Sequence, residues 1–167
     1  MIRKHYIPNL PWIELPEPAL GALRIVLQSW HETPYMAGQA LKGVGVDCVR
    51  FVCEVIRELE GQEEIPLVNI PADASLHNRA GAMAAFHQII SAYQPATRVS
   101  TLQPGDVLVI GPANGGPGHA MIAGPIKNTL WHSCSMGVQM TGIGFVSGYQ
   151  KIFGIYRKDK SAWGRQA

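Results

Sequence analysis

At 167 residues, 47% of them apolar, the chain is long enough for one domain with a sizeable core and too short to make two the first expectation. Charged residues make up only 16%, and the formal net charge of +2 is spread without a basic or acidic block, which excludes electrostatic capture of nucleic acid as a function class. Three cysteines, at 48, 53 and 134, form no disulfide framework, and no window approaches the roughly 20 apolar residues of a membrane span; free thiols and no spanning segment are expected.

The N-terminal stretch MIRKHYIPNLPWIELPEP places Pro8, Pro11, Glu14 and Pro16 where a signal peptide needs an unbroken apolar run. Synthesis in the cytoplasm without a conventional signal peptide is therefore expected. In ALGALRIVLQSW (19–30) the apolar spacing of Leu20, Leu23, Val26, Leu27 and Trp30 predicts a helix that Thr33 and Pro34 stop. MAGQALKGVGV reads as a glycine-rich loop leading to Asp47, a natural N-cap. The run Val49, Val52, Val55, Ile56 and Leu59 predicts a second helix, closed by Gly61. Residues 62–77, with Pro66 and Pro71, read as a surface loop, and 78–93 as a third helix carrying Met83, Phe86, Ile90 and Tyr93.

Beyond Pro104 the texture changes to short strand-like runs between glycine-bearing turns: VLVI (107–110), HAMIA (119–123), TLWHSC (129–134) and KIFGIYR (151–157). Helices first and strands afterwards predict an α+β domain, 1–167, with N-terminal helices packed on one face of a C-terminal antiparallel sheet.

Cys48 falls where the glycine-rich loop becomes a helix. The partial positive charge and free N–H groups of a helix N-terminus favour a thiolate, and the backbone N–H of the same residue suits an oxyanion; the alternative is an inert core thiol. His119 opens one predicted strand and His132 lies in the next. Neighbouring antiparallel strands run about 4.8 Å apart, so the two imidazoles meet if they take the same face. His119 would then accept the thiol proton and His132 would hold it in the right tautomer; for either alone, a structural role is the alternative.

Cys53 lies about 140° round the helix from Cys48 and is expected in the core. Cys134 would share a strand face with His132, which permits a zinc site of Cys48, His119, His132 and Cys134, but the paired short ligand spacings are missing and neither metal nor cofactor is expected. His31, His77 and His87 read as surface or capping residues, and GPANGGPG (111–118) as a flexible hairpin loop beside the site. Arg50 could attract a carboxylate or be a solvated helix residue.

These residues resemble the NlpC/p60 peptidases of the papain-like cysteine hydrolases, over roughly 20–157. The resemblance rests on TPY (33–35), the DC of VGVDCVRFV, LQPGDVLVI (102–110), GHAMIAG (118–124) and LWHS (130–133), in the family's order. It implies a papain-like fold, a triad of Cys48, His119 and His132, and Tyr35 as a site residue beside the nucleophile. It also implies cleavage of amide bonds in the peptide stems of bacterial wall peptidoglycan. LKGVGVDC, without a signal peptide, looks most like the branch found among phage tail and prophage-encoded wall hydrolases, which implies phage tail proteins as partners and the virion tail, periplasm or cell wall as destination. In papain-like enzymes a glutamine supplies a second oxyanion donor; Gln39, nine residues before Cys48, is the candidate here. Where the family usually has Ser then Gly after Asp-Cys, this chain has Val49 and Arg50. In some members that Ser and the Asp help bind the substrate's free amine, which leaves Asp47 alone for such a role.

Two functions of different classes follow: a thiol hydrolase acting through a thioester acyl-enzyme, and a tail-assembly or wall-binding component that keeps the fold with little turnover. Lipid acyl transfer on a related permuted fold is disfavoured, because there the histidine precedes the cysteine in the chain.

Overall fold

From Cys48 to Cys53 every side chain is buried, the charged Arg50 included. A helix hidden on all sides must lie between other layers, and that requirement sets the architecture. The computed structural model describes residues 9–62, 86–87, 97–146 and 150–165. Helix α1 (Ala19–Trp30) buries Ala19, Leu23, Leu27 and Trp30 in the core it shares with α2 (Cys48–Glu60). Asp47 caps α2 at its start, and Gly61, in the left-handed conformation, closes it.

Strands β1 (Ala40–Leu41) and β2 (Gly45–Val46) form a small hairpin just ahead of α2. The main sheet contains β3 (Thr97–Arg98), β4 (Val107–Pro112), β5 (His119–Ala123), β6 (Thr129–Cys134), β7 (Gly137–Gly142) and β8 (Gln150–Arg157). Its order is β3-β8-β4-β5-β6-β7, and the paired strands are antiparallel. Strands β4 to β7 form a meander, after which a 3-10 turn, Ile143–Phe145, begins the return of β8 to its slot between β3 and β4.

Alternation along the strands divides the core in two. Val107, Val109, Ala120, Ile122, Trp131 and Tyr156 face the helices, whereas Leu108, Ile110, Met121, Ala123, Leu130 and Ile155 form a second cluster on the other side. The second cluster is covered by Leu102, Ile143 and Val146, with Leu10 and Trp12 of the proline-rich lead packed against it. That lead is held by paired backbone bonds, Ile13 N–H to Leu102 O and Leu102 N–H to Pro11 O, both 2.8 Å. Because both faces are covered, β4 and β5 read as unbroken apolar runs.

The predicted α+β architecture, with helices on one face, matches the observed one. Strands β5 and β6 and both helices occupy the expected residues, while β4 and β8 run slightly longer. Three features differ from expectation: the glycine-rich loop contains the β1-β2 hairpin, and β3 and β7 are additional strands. Of the expected third helix, only Phe86 and His87 are described; both are helical, and Phe86 is fully buried. The rest of that helix, the loop before it and His77 lie outside the described residues. His87 is not a simple surface residue: its ring meets that of Tyr156 edge-on, centroids 4.9 Å apart, with Nε2 against the phenol hydroxyl. His31 is exposed at the C-cap of α1, as expected, with its ring edge-on to Trp131.

The LQPGD segment turns into β4 at Gly105, whose φ of +82° suits glycine and where a Cβ would come within 2.5 Å of the Trp163 ring. The turn delivers Asp106, fully buried, to a cluster of donors. Its Oδ1 accepts from Lys160 Nζ at 2.6 Å, and its Oδ2 from Arg157 Nη2 at 2.6 Å and Gln103 N–H at 2.8 Å. One carboxylate thus ties the chain's last described segment to the sheet. Since removal of one member strands buried charge on the others, Asp106→Ala should cost about 3–5 kcal/mol of stability, read by urea unfolding.

Candidate active site

Asp47 sets where α2 begins. Its Oδ1 accepts the Arg50 N–H at 2.8 Å, while its Oδ2 accepts the Gly38 N–H at 3.0 Å and Arg50 Nη1 at 2.5 Å. Loop, helix terminus and guanidinium therefore converge on one carboxylate. Cys48 follows as the first helical residue, 7% exposed, ahead of the first helical bond from Phe51 N–H to Asp47 O. Its position in the opening turn is the one expected of a thiol activated by a helix terminus.

The segment before Cys48 is held on several sides. Tyr35 bridges to Val46, and Val46 N–H donates to Pro34 O at 3.0 Å. Thr33, buried, accepts from Gly43 N–H through its hydroxyl at 3.0 Å, and its carbonyl accepts Val138 N–H of β7 at 2.8 Å. Lys42 at the hairpin turn reaches Ser29 Oγ (2.7 Å) and Glu58 Oε2 (2.8 Å), which ties the hairpin to both helices.

On the sheet, Ile122 pairs with Trp131 and Ala123 with Leu130, so His119 and His132 share one face. Their rings meet edge-on, with His119 Nε2 and His132 Nδ1 2.7 Å apart. Burial pushes His132 down from 6.5 to about 4, so it is neutral near pH 7. A neutral His132 that accepts through Nδ1 requires the His119 proton on Nε2, which leaves His119 Nδ1 as the basic nitrogen. Phe145, from the 3-10 turn, packs on both imidazoles, with centroids at 6.4 Å from His119 and 4.9 Å from His132.

What links this pair to the segment leading into Cys48 is Ser133. Its hydroxyl, buried, donates to Val46 O at 2.7 Å, joining the residue after His132 to the residue two before Cys48. Ser133 and Phe145 were not singled out from the sequence, and Thr33 only as a helix stop. Thr33 and Ser133 stood within the quoted TPY and LWHS; nothing in the sequence pointed to Phe145.

The remaining expected site residues differ in their surroundings. Tyr35 and Gln39 are exposed. Gln39 meets the segment leading into Cys48 through its backbone, its carbonyl accepting Asp47 N–H at 3.4 Å. Arg50 is not a solvated helix residue: its side chain is 10% exposed, and the carboxylate it attracts is that of Asp47. Cys53 is buried in the core, and burial pushes its thiol up to about 12. Cys134 is partly exposed, with Sγ 3.4 Å from Gly137 O. Among the described residues no group of three or more His, Cys, Asp and Glu side chains is placed to hold a metal ion, and no helix is long and apolar enough to cross a membrane.

Two measurements follow from these environments. Iodoacetamide at neutral pH should label Cys48 of the native protein well before Cys53, which burial keeps protonated; equal labelling by peptide mapping would contradict this. For His132, the native value of about 4 lies below the 6.5 of an unperturbed imidazole, so between these values the unfolded chain binds a proton that the native one does not. Stability should therefore fall as pH drops from 6.5 to 4, with no further loss from this group below that. In His132→Gln the decline across this window should be shallower, measured by urea unfolding at pH 7, 5.5 and 4.

No protein-family model matches the sequence, and no curated protein matches it. Solved structures do match, among them the NlpC/p60 domain of the peptidoglycan hydrolase SagA, with a TM-score of 0.53 and 18% sequence identity over 83% of this chain and 97% of that one. At that identity the likeness shows the fold: the helices and six-stranded antiparallel sheet are arranged as in that NlpC/p60 domain, a papain-like α+β fold.

Proposed function

We propose that this protein is a cysteine hydrolase that cleaves a peptide amide bond, with Cys48 as nucleophile, His119 as general base and His132 as the residue that orients it. The observation that carries this reading is the 2.7 Å contact between His119 Nε2 and a neutral His132, on a strand that Ser133 ties to the segment leading into Cys48. In the reaction His119 Nδ1 takes the Cys48 proton, and the thiolate adds to the scissile carbonyl carbon. The oxyanion is held by helix-terminal N–H groups, with Gln39 as a further donor. Collapse expels the amine, which receives the proton from His119, and leaves a thioester on Cys48. Water, deprotonated by His119, then hydrolyses the thioester and restores the thiol.

The substrate class is the peptide stem of bacterial wall peptidoglycan, with Tyr35 and Asp47 beside the reacting carbonyl. The fold shared with a domain of a peptidoglycan hydrolase supports this choice. Association with a phage or prophage tail is the proposed setting, resting on LKGVGVDC.

Purified wall fragments incubated with the protein should yield new stem-peptide products by mass spectrometry, and Cys48→Ala should yield none. His119→Ala should lose about 10²–10⁴-fold in rate, the usual worth of a positioned general base. His132→Asn can still accept from His119 and should lose only about tenfold, the scale of one neutral hydrogen bond. The acidic limb of the pH–rate profile should persist in His132→Asn and disappear in His119→Ala. Fragments bound but never cleaved by the wild type would favour a wall-binding component instead.

A further inference from the structure

Asp47 presents a physical conflict. A carboxylate is among the best N-caps, and here it also holds the Gly38 loop, but its negative charge sits one residue from the Cys48 thiol. A like charge at that distance raises a thiol's pKa, which opposes the effect of the helix terminus. Arg50, in the same turn, reaches back to Asp47 Oδ2 at 2.5 Å, with side chains only 10% and 8% exposed. A guanidinium offers a planar fork of donors and so suits a carboxylate where water is scarce.

We infer that Arg50 is a charge-balancing and positioning residue for Cys48: it neutralises Asp47, so that the cap can hold the helix and the loop without holding the thiol protonated. This rests on the reading of Cys48 as nucleophile, but its readout does not require turnover. The raised Cys53 thiol follows the same signs: burial is the main cause, Asp47 and Glu54 add to it, and Arg50 opposes them. The other titratable groups on the elements packed against α2 are His119, His132 and Cys134 on the sheet and Arg24 on α1, with Tyr35 and Lys42 in the segment before it. Arg50 is distinguished from them by its direct ion pair with Asp47 in the nucleophile's own turn.

The test is the pH dependence of Cys48 alkylation by iodoacetamide, read at that residue by peptide mapping, in wild type, Arg50→Met, Asp47→Asn and the double variant. Arg50→Met should move the midpoint up by about one pH unit, because Asp47 is left uncompensated. Asp47→Asn keeps a capping side chain but removes the negative charge beside the thiol, and should move it down. The double variant should return close to wild type. A profile for Arg50→Met that superimposes on wild type, or a double variant that stays with Arg50→Met, would overturn the inference. If Arg50→Met does not fold, Asp47→Asn decides alone, and an unmoved midpoint there is negative. The expected shifts without wall-fragment cleavage would leave this inference standing and remove the hydrolase reading; cleavage with unmoved midpoints would do the reverse.

Discussion

The Asp47 carboxylate is the constraint on which the site's geometry depends. It accepts from the loop at Gly38, from the helix at the Arg50 N–H and from the Arg50 guanidinium, so the loop's end and the helix's start are fixed to one point. Cys48 has no freedom to be anywhere except the first turn of a buried helix. The β1-β2 hairpin, braced by Thr33 and Lys42, carries the same constraint outward to α1, α2 and β7. A buried ion pair of this kind adds little net stability, because desolvation of both charges offsets most of their attraction. Its consequence is local: it determines position and field at the residue that follows.

The imidazole pair depends on the sheet in a comparable way. Strands β5 and β6 are neighbours in a meander whose two faces are both covered, by the helices on one side and by the proline-rich lead and 3-10 turn on the other. Little slippage is tolerated there, since a shift of one residue would turn Trp131 and Leu130 to the wrong clusters. The register that buries them correctly is the one that brings His119 to His132. Phe145 and the strand interior keep water from His132, which is why it stays neutral. A neutral partner meets His119 without adding the negative charge that a carboxylate would bring.

The distant Asp106 cluster serves this geometry indirectly. It binds the end of β8, and Lys160 beyond it, to the start of β4, the strand on which β5 is paired. Two buried carboxylates, Asp47 and Asp106, thus act alike: each gathers backbone and cationic donors from separate segments and holds them at one place.

Much of this was legible in the sequence because its signals are local. Helix α1 announces itself by apolar spacing, α2 by an Asp cap and a Gly stop, and β5 and β6 by short apolar runs between turns, each set by the chain's own backbone preferences and the burial pattern of a few residues. The placement of Cys48 at a helix start and of the two histidines on adjacent strands needed nothing more. The weaker elements were not legible: β1, β2 and β3 are two-residue strands, too short to show an alternation, β3 takes its partner β8 from far along the chain, and β7 shows burial only in its first residues. Tertiary structure alone decided that Arg50 turns inward to Asp47, that Ser133 reaches Val46 across 87 positions, and that Phe145 closes over the imidazoles. In each case the partner, not the residue, sets the role, and a sequence records which groups are available but not which of them the packed chain brings within hydrogen-bonding distance.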